Sequence, residues 1–292
     1  MKLNFLKTNQ IICFTLTFGF KHLKYDCIKI FYTGENVFPN FNICDYAIGP
    51  HDLKLEKRYL QLPIYLIKKG HFIKLPERKK LNKEDLKIKK EFCNFIYSNK
   101  NGNPIRKEFF DELSKYKNII SAGKFLNNTG YAIKNKTEIQ KQCKFTIAFE
   151  NEKYPGYSTE KIIDAFIART IPIYWGDETI TDNINQKSFI YCNSSKDIPD
   201  VIRRIKQIDK NDDLWLKMAN EPIFLQKDYE KIKEKELEDF LINTIETKNQ
   251  KIPKSLEAKR VKRIIKKGSL FINIKHKIHR IKIEKGVKNY KK

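Results

Sequence analysis

The sequence predicts an α/β fold built around one strand–helix–strand unit. Residues 144–149 (Lys-Phe-Thr-Ile-Ala-Phe) form a nearly continuous apolar run, typical of a strand covered on both faces. A polar loop with a Pro-Gly break at 155–156 follows, and apolar residues then recur at helical spacing over 162–167. Residues 171–175 read as a second strand. So short a connection implies parallel strands joined by a right-handed crossover.

The loop between this strand and its helix is the predicted ligand site. In open α/β sheets, ligands bind beyond the carboxyl ends of the strands, where residues 150–161 fall. Ser158 or Thr159 can cap the helix, which places Lys161 in its first turn, opposed to the positive end of the helix dipole. A lysine there makes sense if an anion such as a phosphate binds the free N–H groups of that turn.

A second strand-to-helix junction carries another cation. Residues 92–97 read as a strand, and the helix after it is predicted to have Asn103 as N-cap and Pro104 at its first position. Arg106 then lies in the first turn. Because both junctions are expected on one rim of the sheet, Arg106 and Lys161 together predict a diphosphate site.

The whole chain divides into three predicted regions. Residues 1–88 form an N-terminal domain and linker, 89–250 a ligand-binding domain, and 251–292 a basic tail. Within them we predict strands at 28–32, 45–48 and 188–192, helices at 199–208 and 228–246, and a lysine-rich linker or flexible loop at 74–90.

Composition narrows the class of protein. The 292 residues suffice for two modest α/β domains. The six cysteines show no CxxC pairing and the five histidines no metal-ligand spacing, so we expect reduced core thiols and no metal site. The apolar stretch 11–20 is too short to span a bilayer, and no cleavage site of a signal peptide follows it.

The net charge of +24 is concentrated at the C-terminus, where residues 251–292 hold 16 Lys and Arg against 2 Asp and Glu. Isoleucines interleave with these cations, a pattern typical of basic amphipathic helices on an anionic membrane surface. A solvated tail is the alternative. No motif supports nucleic-acid binding.

Several segments carry recognisable motifs, namely 31–36 (Phe-Tyr-Thr-Gly-Glu-Asn), 45–49, 103–106, 127–131, 149–151 (Phe-Glu-Asn), 157–165 (Tyr-Ser-Thr-Glu-Lys-Ile-Ile-Asp-Ala) and 171–176. Together they resemble glycosyltransferase family 10, the α-1,3/4-fucosyltransferases, and most closely its bacterial members that act on lipopolysaccharide. The similarity covers roughly residues 28 to 245.

The resemblance implies a GT-B-type fold, two Rossmann-like domains facing a cleft, with GDP-fucose held mainly by the C-terminal one. It implies an inverting transfer of fucose to a hydroxyl of a GlcNAc-containing glycan, without a cofactor. Few residues precede the Tyr-Thr-Gly-Glu-Asn strand, so we expect an incomplete N-terminal acceptor domain. The absence of a membrane anchor suggests a bacterial cytoplasmic enzyme, held at the inner face of the membrane by its tail.

The resemblance also assigns roles. Glu35 matches the family's catalytic carboxylate, although sequence alone favours an exposed turn glutamate. Asn151, Tyr157 and Glu160 match positions lining the donor pocket; otherwise Glu160 is a first-turn glutamate favoured by the helix dipole. No Asp-x-Asp motif lies near this loop, so Arg106 and Lys161 would stabilise the diphosphate. The alternatives are a catalytically inactive nucleotide-sugar-binding remnant and a surface-binding protein dominated by its basic tail.

Overall fold

The computed structural model describes residues 12–15, 28–53, 55, 57–68, 71–73, 75, 78–130 and 135–246. They divide into two compact units. One contains residues 49–53 and 61–240, and the other the described residues among 2–48, 54–60 and 241–246. The segment 61–88 thus groups with the C-terminal unit, whereas the sequence suggested a boundary at residue 88.

The first four strands form a sheet in the order β1-β2-β3-β4, with β1, β2 and β3 parallel. Ile12 pairs with Ile28, which places part of the apolar stretch 11–20 in a strand of this sheet. Ile30 and Ala47 are completely buried. The strands are β1 (Ile12–Thr15), β2 (Ile28–Tyr32), β3 (Tyr46–Gly49) and β4 (Tyr59–Gln61).

The C-terminal unit holds a short antiparallel pair and a five-stranded parallel sheet. The pair is β5 (Ile67–Lys68) and β6 (His71–Phe72). The five-stranded sheet has the order β11-β10-β9-β7-β8, and its strands are β7 (Glu91–Phe95), β8 (Ile119–Ser121), β9 (Cys143–Phe149), β10 (Ile171–Trp175) and β11 (Ile190–Tyr191).

Seven α-helices occur in the described part of the chain. They are α1 (Lys83–Leu86), α2 (Ile105–Ser114), α3 (Lys136–Gln142), α4 (Glu160–Ile167), α5 (Ile198–Asp209), α6 (Asp212–Ala219) and α7 (Tyr229–Glu246). Helices α2 and α5 contact each other, whereas α3 and α4 each pack against β9. Every residue of β10 is buried. Strand β9, where the continuous apolar run predicted a strand covered on both faces, is buried except for the partly exposed Lys144.

Two predicted segments differ from the structure. The lysine-rich stretch 74–90 is not a plain loop, because Asn82 starts α1 with a reciprocal capping box: its Oδ1 accepts from the N–H groups of Glu84 and Asp85, and its own N–H donates to Asp85 Oδ2. The strand predicted at 188–192 is shorter, because a 3₁₀ turn occupies 186–188.

The predicted basic tail, residues 251–292, lies outside the described residues. The four cysteines that are described, at positions 44, 93, 143 and 192, are buried free thiols. Within the described residues, no helix combines the length and the apolar character that a bilayer crossing requires.

Candidate active site

The loops after β7 and β9 meet at a topological switch point. The chain leaves β7 toward β8 and leaves β9 in the opposite direction toward β10, so the two connections diverge from neighbouring strands. The N–H of Asn103 donates to the Asn151 carbonyl oxygen at 2.9 Å, and Arg106 Nη1 donates to Asn151 Oδ1 at 3.1 Å. The two predicted junctions therefore converge where α/β sheets bind ligands.

Arg106 is enclosed rather than exposed on the rim. Its guanidinium lies over the ring of Tyr97, 4.9 Å from the centroid, and Nη2 donates to the carbonyl oxygen of Asn99 at 3.0 Å. Only 1% of the side chain is exposed, and Gly102 lies directly against the guanidinium. Burial lowers the pKa of Arg106, while Tyr97 and Glu150 act in the opposite direction. Because Arg106 is enclosed, contact between it and a phosphate requires the segment 99–102 to shift.

The helix that carries Arg106 begins one residue later than predicted. Helix α2 starts at Ile105, so Pro104 takes the capping position. Asn103 still caps through its side chain, because its Oδ1 accepts from the N–H of Ile105 at 3.1 Å.

Lys161 is bonded to a buried carboxylate. Its Nζ donates to Glu150 Oε2 at 2.8 Å and to Thr159 Oγ1 at 2.7 Å. Glu150 is completely buried, whereas 16% of the lysine side chain is exposed. A bound anion was the expected reason for a lysine at this helix start, but Glu150 already supplies a negative charge.

Glu150 also replaces the predicted cap of α4. Its Oε1 accepts from the N–H of Thr159 and its Oε2 from the Thr159 hydroxyl, both at 2.7 Å. Thr159 occupies the N-cap position but its hydroxyl does not cap. Ser158 is committed elsewhere, donating to Asp177 Oδ2 at 2.8 Å. Sequence reasoning missed this role of Glu150, for which the available signal was a glutamate at the end of a buried strand, in the same loop as a lysine at a helix start.

The loop 152–158 is fixed by Asp177 and by a close backbone approach. Asp177 Oδ1 accepts from the N–H of Gly156 at 2.8 Å. Gly156 adopts a φ of +82°, and a Cβ there would overlap the Pro50 carbonyl oxygen, so only glycine fits. The Tyr65 N–H donates to the Ser158 carbonyl oxygen at 3.2 Å. These contacts order the loop that carries the predicted donor-binding residues.

The other predicted donor-side residues flank this loop. Tyr157 is buried, with 3% exposed, and its N–H donates to the Tyr154 carbonyl oxygen. Glu160 is the partly exposed first residue of α4. The structure thus brings Asn151 into contact with Arg106, and places Tyr157, Glu160 and Lys161 in sequence along the start of α4.

A small pocket with room for about one water molecule lies beside Lys161. Gln140 is completely buried, and neither polar atom of its side chain has a hydrogen-bond partner among the described residues. The buried Asn94 Oδ1 also has no partner among them. Such atoms normally find a partner in water or ligand. The lining residues are Asn94, Ile96, Tyr97, Lys136, Gln140, Thr146, Ile147 and Lys161.

Glu35 lies in the other unit, in the bend that follows β2. Its side chain is exposed, and its N–H donates to Thr33 Oγ1 at 3.0 Å. The N–H of Val37 donates to the Glu35 carbonyl oxygen at 2.8 Å, which closes a tight turn. The turn thus leaves the Glu35 carboxylate accessible to solvent.

Across the described ranges, no three His, Cys, Asp or Glu side chains cluster closely enough to hold a metal ion.

Comparison with known proteins identifies the family. The N-terminal domain of the alpha-(1,3)-fucosyltransferase FucT matches residues 1–68, and the C-terminal domain of glycosyltransferase family 10 (fucosyltransferase) matches residues 86–261. The chain belongs to glycosyltransferase family 10. It is similar to the alpha-(1,3)-fucosyltransferase FucT of Helicobacter pylori, with 36% identity over 223 residues, which are 66% of this chain and 46% of that protein.

A putative fucosyltransferase of Acanthamoeba polyphaga mimivirus is also 36% identical, over 70% of this chain and 35% of the viral protein. The chain therefore spans less than half the length of these curated relatives. Among solved structures, an alpha1,3-fucosyltransferase with GDP-fucose aligns with a TM-score of 0.66 and 33% identity, covering 78% of this chain and 77% of that one. These alignments and the parallel sheets confirm the predicted α/β, GT-B-type fold class.

Proposed function

We propose that this protein is an inverting fucosyltransferase. It transfers fucose from GDP-fucose to a hydroxyl of a GlcNAc-containing glycan, forming an α-1,3 or α-1,4 linkage in lipopolysaccharide or surface glycan synthesis. The observation that carries this proposal is the junction at Asn151, where the Arg106 and Lys161 helices start on neighbouring loops of the switch point. Family membership and the GDP-fucose complex of a structural relative support it.

The proposed chemistry needs a base and stabilisation of a leaving diphosphate. Glu35 takes the proton from the acceptor hydroxyl, whose oxygen attacks the anomeric carbon of fucose from the face opposite GDP. The bond between that carbon and the phosphate oxygen breaks, and its electron pair leaves on GDP. Arg106 and Lys161 stabilise the charge that develops on the diphosphate.

Three further residues complete the proposed donor site. Glu160 accepts hydrogen bonds from the ribose hydroxyls, and Asn151 and Tyr157 line the pocket. No metal takes part in the chemical step, because two protein cations serve the diphosphate. Exhaustive EDTA treatment should leave turnover unchanged; loss of activity restored by manganese would contradict this part of the proposal.

We also propose where the enzyme works. The 16 cations of residues 251–292 hold it at the inner face of the cytoplasmic membrane, where a lipid-linked acceptor is available. The support is charge and spacing in the sequence alone.

A transfer assay tests the proposed activity. The full chain is incubated with GDP-fucose and glycans that end in N-acetylglucosamine or in galactose linked to it, and the products are analysed by mass spectrometry and NMR for anomeric configuration and linkage. We expect an α-linked product on position 3 or 4 of N-acetylglucosamine. GDP binding without transfer would instead support the inactive, nucleotide-sugar-binding remnant.

A further inference from the structure

Glu150 carries the most enclosed charge at the site, and the proposed function gives this residue no role. Glu150 is completely buried, and removing a carboxylate from water is costly unless cations and hydrogen bonds compensate it. Here the compensation comes from Thr159 and Lys161.

These three side chains form a closed ring of hydrogen bonds. Lys161 Nζ donates to Glu150 Oε2 and to Thr159 Oγ1, and the Thr159 hydroxyl donates to the same carboxylate oxygen, all within 2.8 Å. An ammonium group has three N–H donors. Two of them are fixed by the ring, so the direction of the third is fixed as well.

The remaining side of Lys161 is not enclosed by the ring. Lys161 also lines the small pocket with Tyr97 and Lys136. The ring holds the ammonium from one side, and the side chain stays 16% exposed, so an anion can approach it from solvent.

The neighbouring strand leaves room for Glu150. Gly176 follows β10 with a φ of +153°, and a Cβ there would lie 2.6 Å from Glu150 Cγ. The Glu150 N–H donates to the Trp175 carbonyl oxygen at 2.8 Å, so the backbone of this residue continues the sheet ladder. The side chain is therefore held at its base by the sheet and at its tip by the ring.

We infer that Glu150 is a positioning residue that fixes the Lys161 ammonium for a diphosphate, an inference that rests on the proposed function. Glu150 does not touch the donor and acts through Lys161. Its negative charge also repels a diphosphate, so it favours binding only while Lys161 is present.

This dual action predicts a reversal of sign in a double-mutant cycle. Glu150→Gln keeps the shape of the side chain and removes its charge. In the otherwise wild-type chain it should weaken GDP binding about tenfold, because the lysine loses its fixed direction. In a Lys161→Ala background the same change should tighten GDP binding about three- to fivefold, because only the repulsion is removed.

The cycle is measured by calorimetry on the full chain, with GDP and with inorganic pyrophosphate as probes. Weakening on both backgrounds would make Glu150 merely structural, and tightening on both would make it merely repulsive; either outcome overturns the inference. A wild-type chain that binds neither probe overturns it too. If only the proposed function is wrong, the transfer assay shows no fucose transfer, but the double-mutant cycle still shows the reversal of sign in the affinities.

Two further variants protect the test against misfolding of Glu150→Gln. Thr159→Val removes the hydroxyl of the ring and keeps the carboxylate, so it should weaken GDP binding about threefold, and Thr159→Ser should recover most of that loss. Glu178→Gln is the matched control, because Glu178 also follows a strand end of this sheet but is exposed. Equal affinities of the Val and Ser variants would contradict the ring.

Discussion

Gly102 lies directly against the guanidinium of Arg106, so closely that a Cβ at position 102 would overlap Nη2. The same guanidinium bonds the carbonyl oxygen of Asn99 and the side chain of Asn151. The loop after β7 thus determines where the arginine of the proposed donor site can lie. Its contact with a phosphate therefore depends on Asn99 and Gly102, to which the proposed function gives no contact with the donor.

Gly102→Ala should weaken GDP binding and lower stability. The added methyl group pushes the guanidinium away from Asn99 and Asn151, and overpacking of this kind costs about 1–3 kcal/mol of unfolding free energy. Calorimetry and urea denaturation measure the two effects. Asn101→Ala, an exposed neighbour in the same loop, is the control. An affinity equal to that of the control would contradict the dependence of GDP binding on the packing of Gly102 against Arg106.

Glu35→Gln should reduce turnover by about 10²–10⁴-fold, the usual contribution of a general base. The amide keeps the shape of the side chain but cannot take a proton. GDP affinity, measured on the same protein, should stay within about twofold of the wild type, because the role of Glu35 is confined to the acceptor. Normal turnover would assign the base elsewhere.

Acidic pH should lower the free energy of unfolding, because it protonates His51 in the segment that supports the donor loop. His51 is buried against Tyr154, with ring centroids 5.2 Å apart, and burial lowers its pKa to about 4 from the ordinary 6.5. The unfolded chain therefore binds a proton at higher pH than the folded chain. The stability that neutral His51 contributes is complete above about pH 6.5 and is lost as the pH falls toward 4.

Urea midpoints at about pH 7 and about pH 5 test this effect in the wild type and in His51→Gln. We expect the difference between the two pH values to be smaller in the variant, since glutamine does not titrate. An identical difference in both proteins would mean that His51 makes no contribution to acid sensitivity.

The sequence predicted those features that depend on local patterns. The continuous apolar run at 144–149 and the helical spacing from Ile162 placed β9 and α4 to within a residue or two. Burial on both faces and amphipathicity each produce a characteristic pattern of apolar residues in the sequence. The position of the candidate site followed from the rule for parallel sheets.

The features that depend on distant contacts could not be predicted in this way. Nothing in the spacing of Glu150 and Lys161 shows that they form an ion pair, since the intervening loop could take many paths. The enclosure of Arg106 depends on how residues 99–102 fold back over the guanidinium. Strand β1 was not predicted, because a short apolar run does not show that the segment pairs with β2.

The basic tail should bind anionic membranes. Each cation near such a surface contributes on the order of 1 kcal/mol, and the interleaved isoleucines add apolar burial. Sedimentation with anionic and with neutral vesicles compares the full chain with one that ends at Gln250. We expect only the full chain to sediment, only with anionic vesicles, and less at high salt. Equal binding of both chains would favour the solvated tail.

Calorimetric titration of GDP into the full chain and into Lys161→Ala tests whether this site holds the donor diphosphate. We expect the wild type to bind GDP and the variant to lose about 1.5–3 kcal/mol of binding free energy, the range for charge-assisted hydrogen bonds. Lys153→Ala, which removes a lysine of the same loop that bonds Asn193, should bind like the wild type. GDP affinity that is unchanged in Lys161→Ala would contradict the assignment of this site to the donor diphosphate.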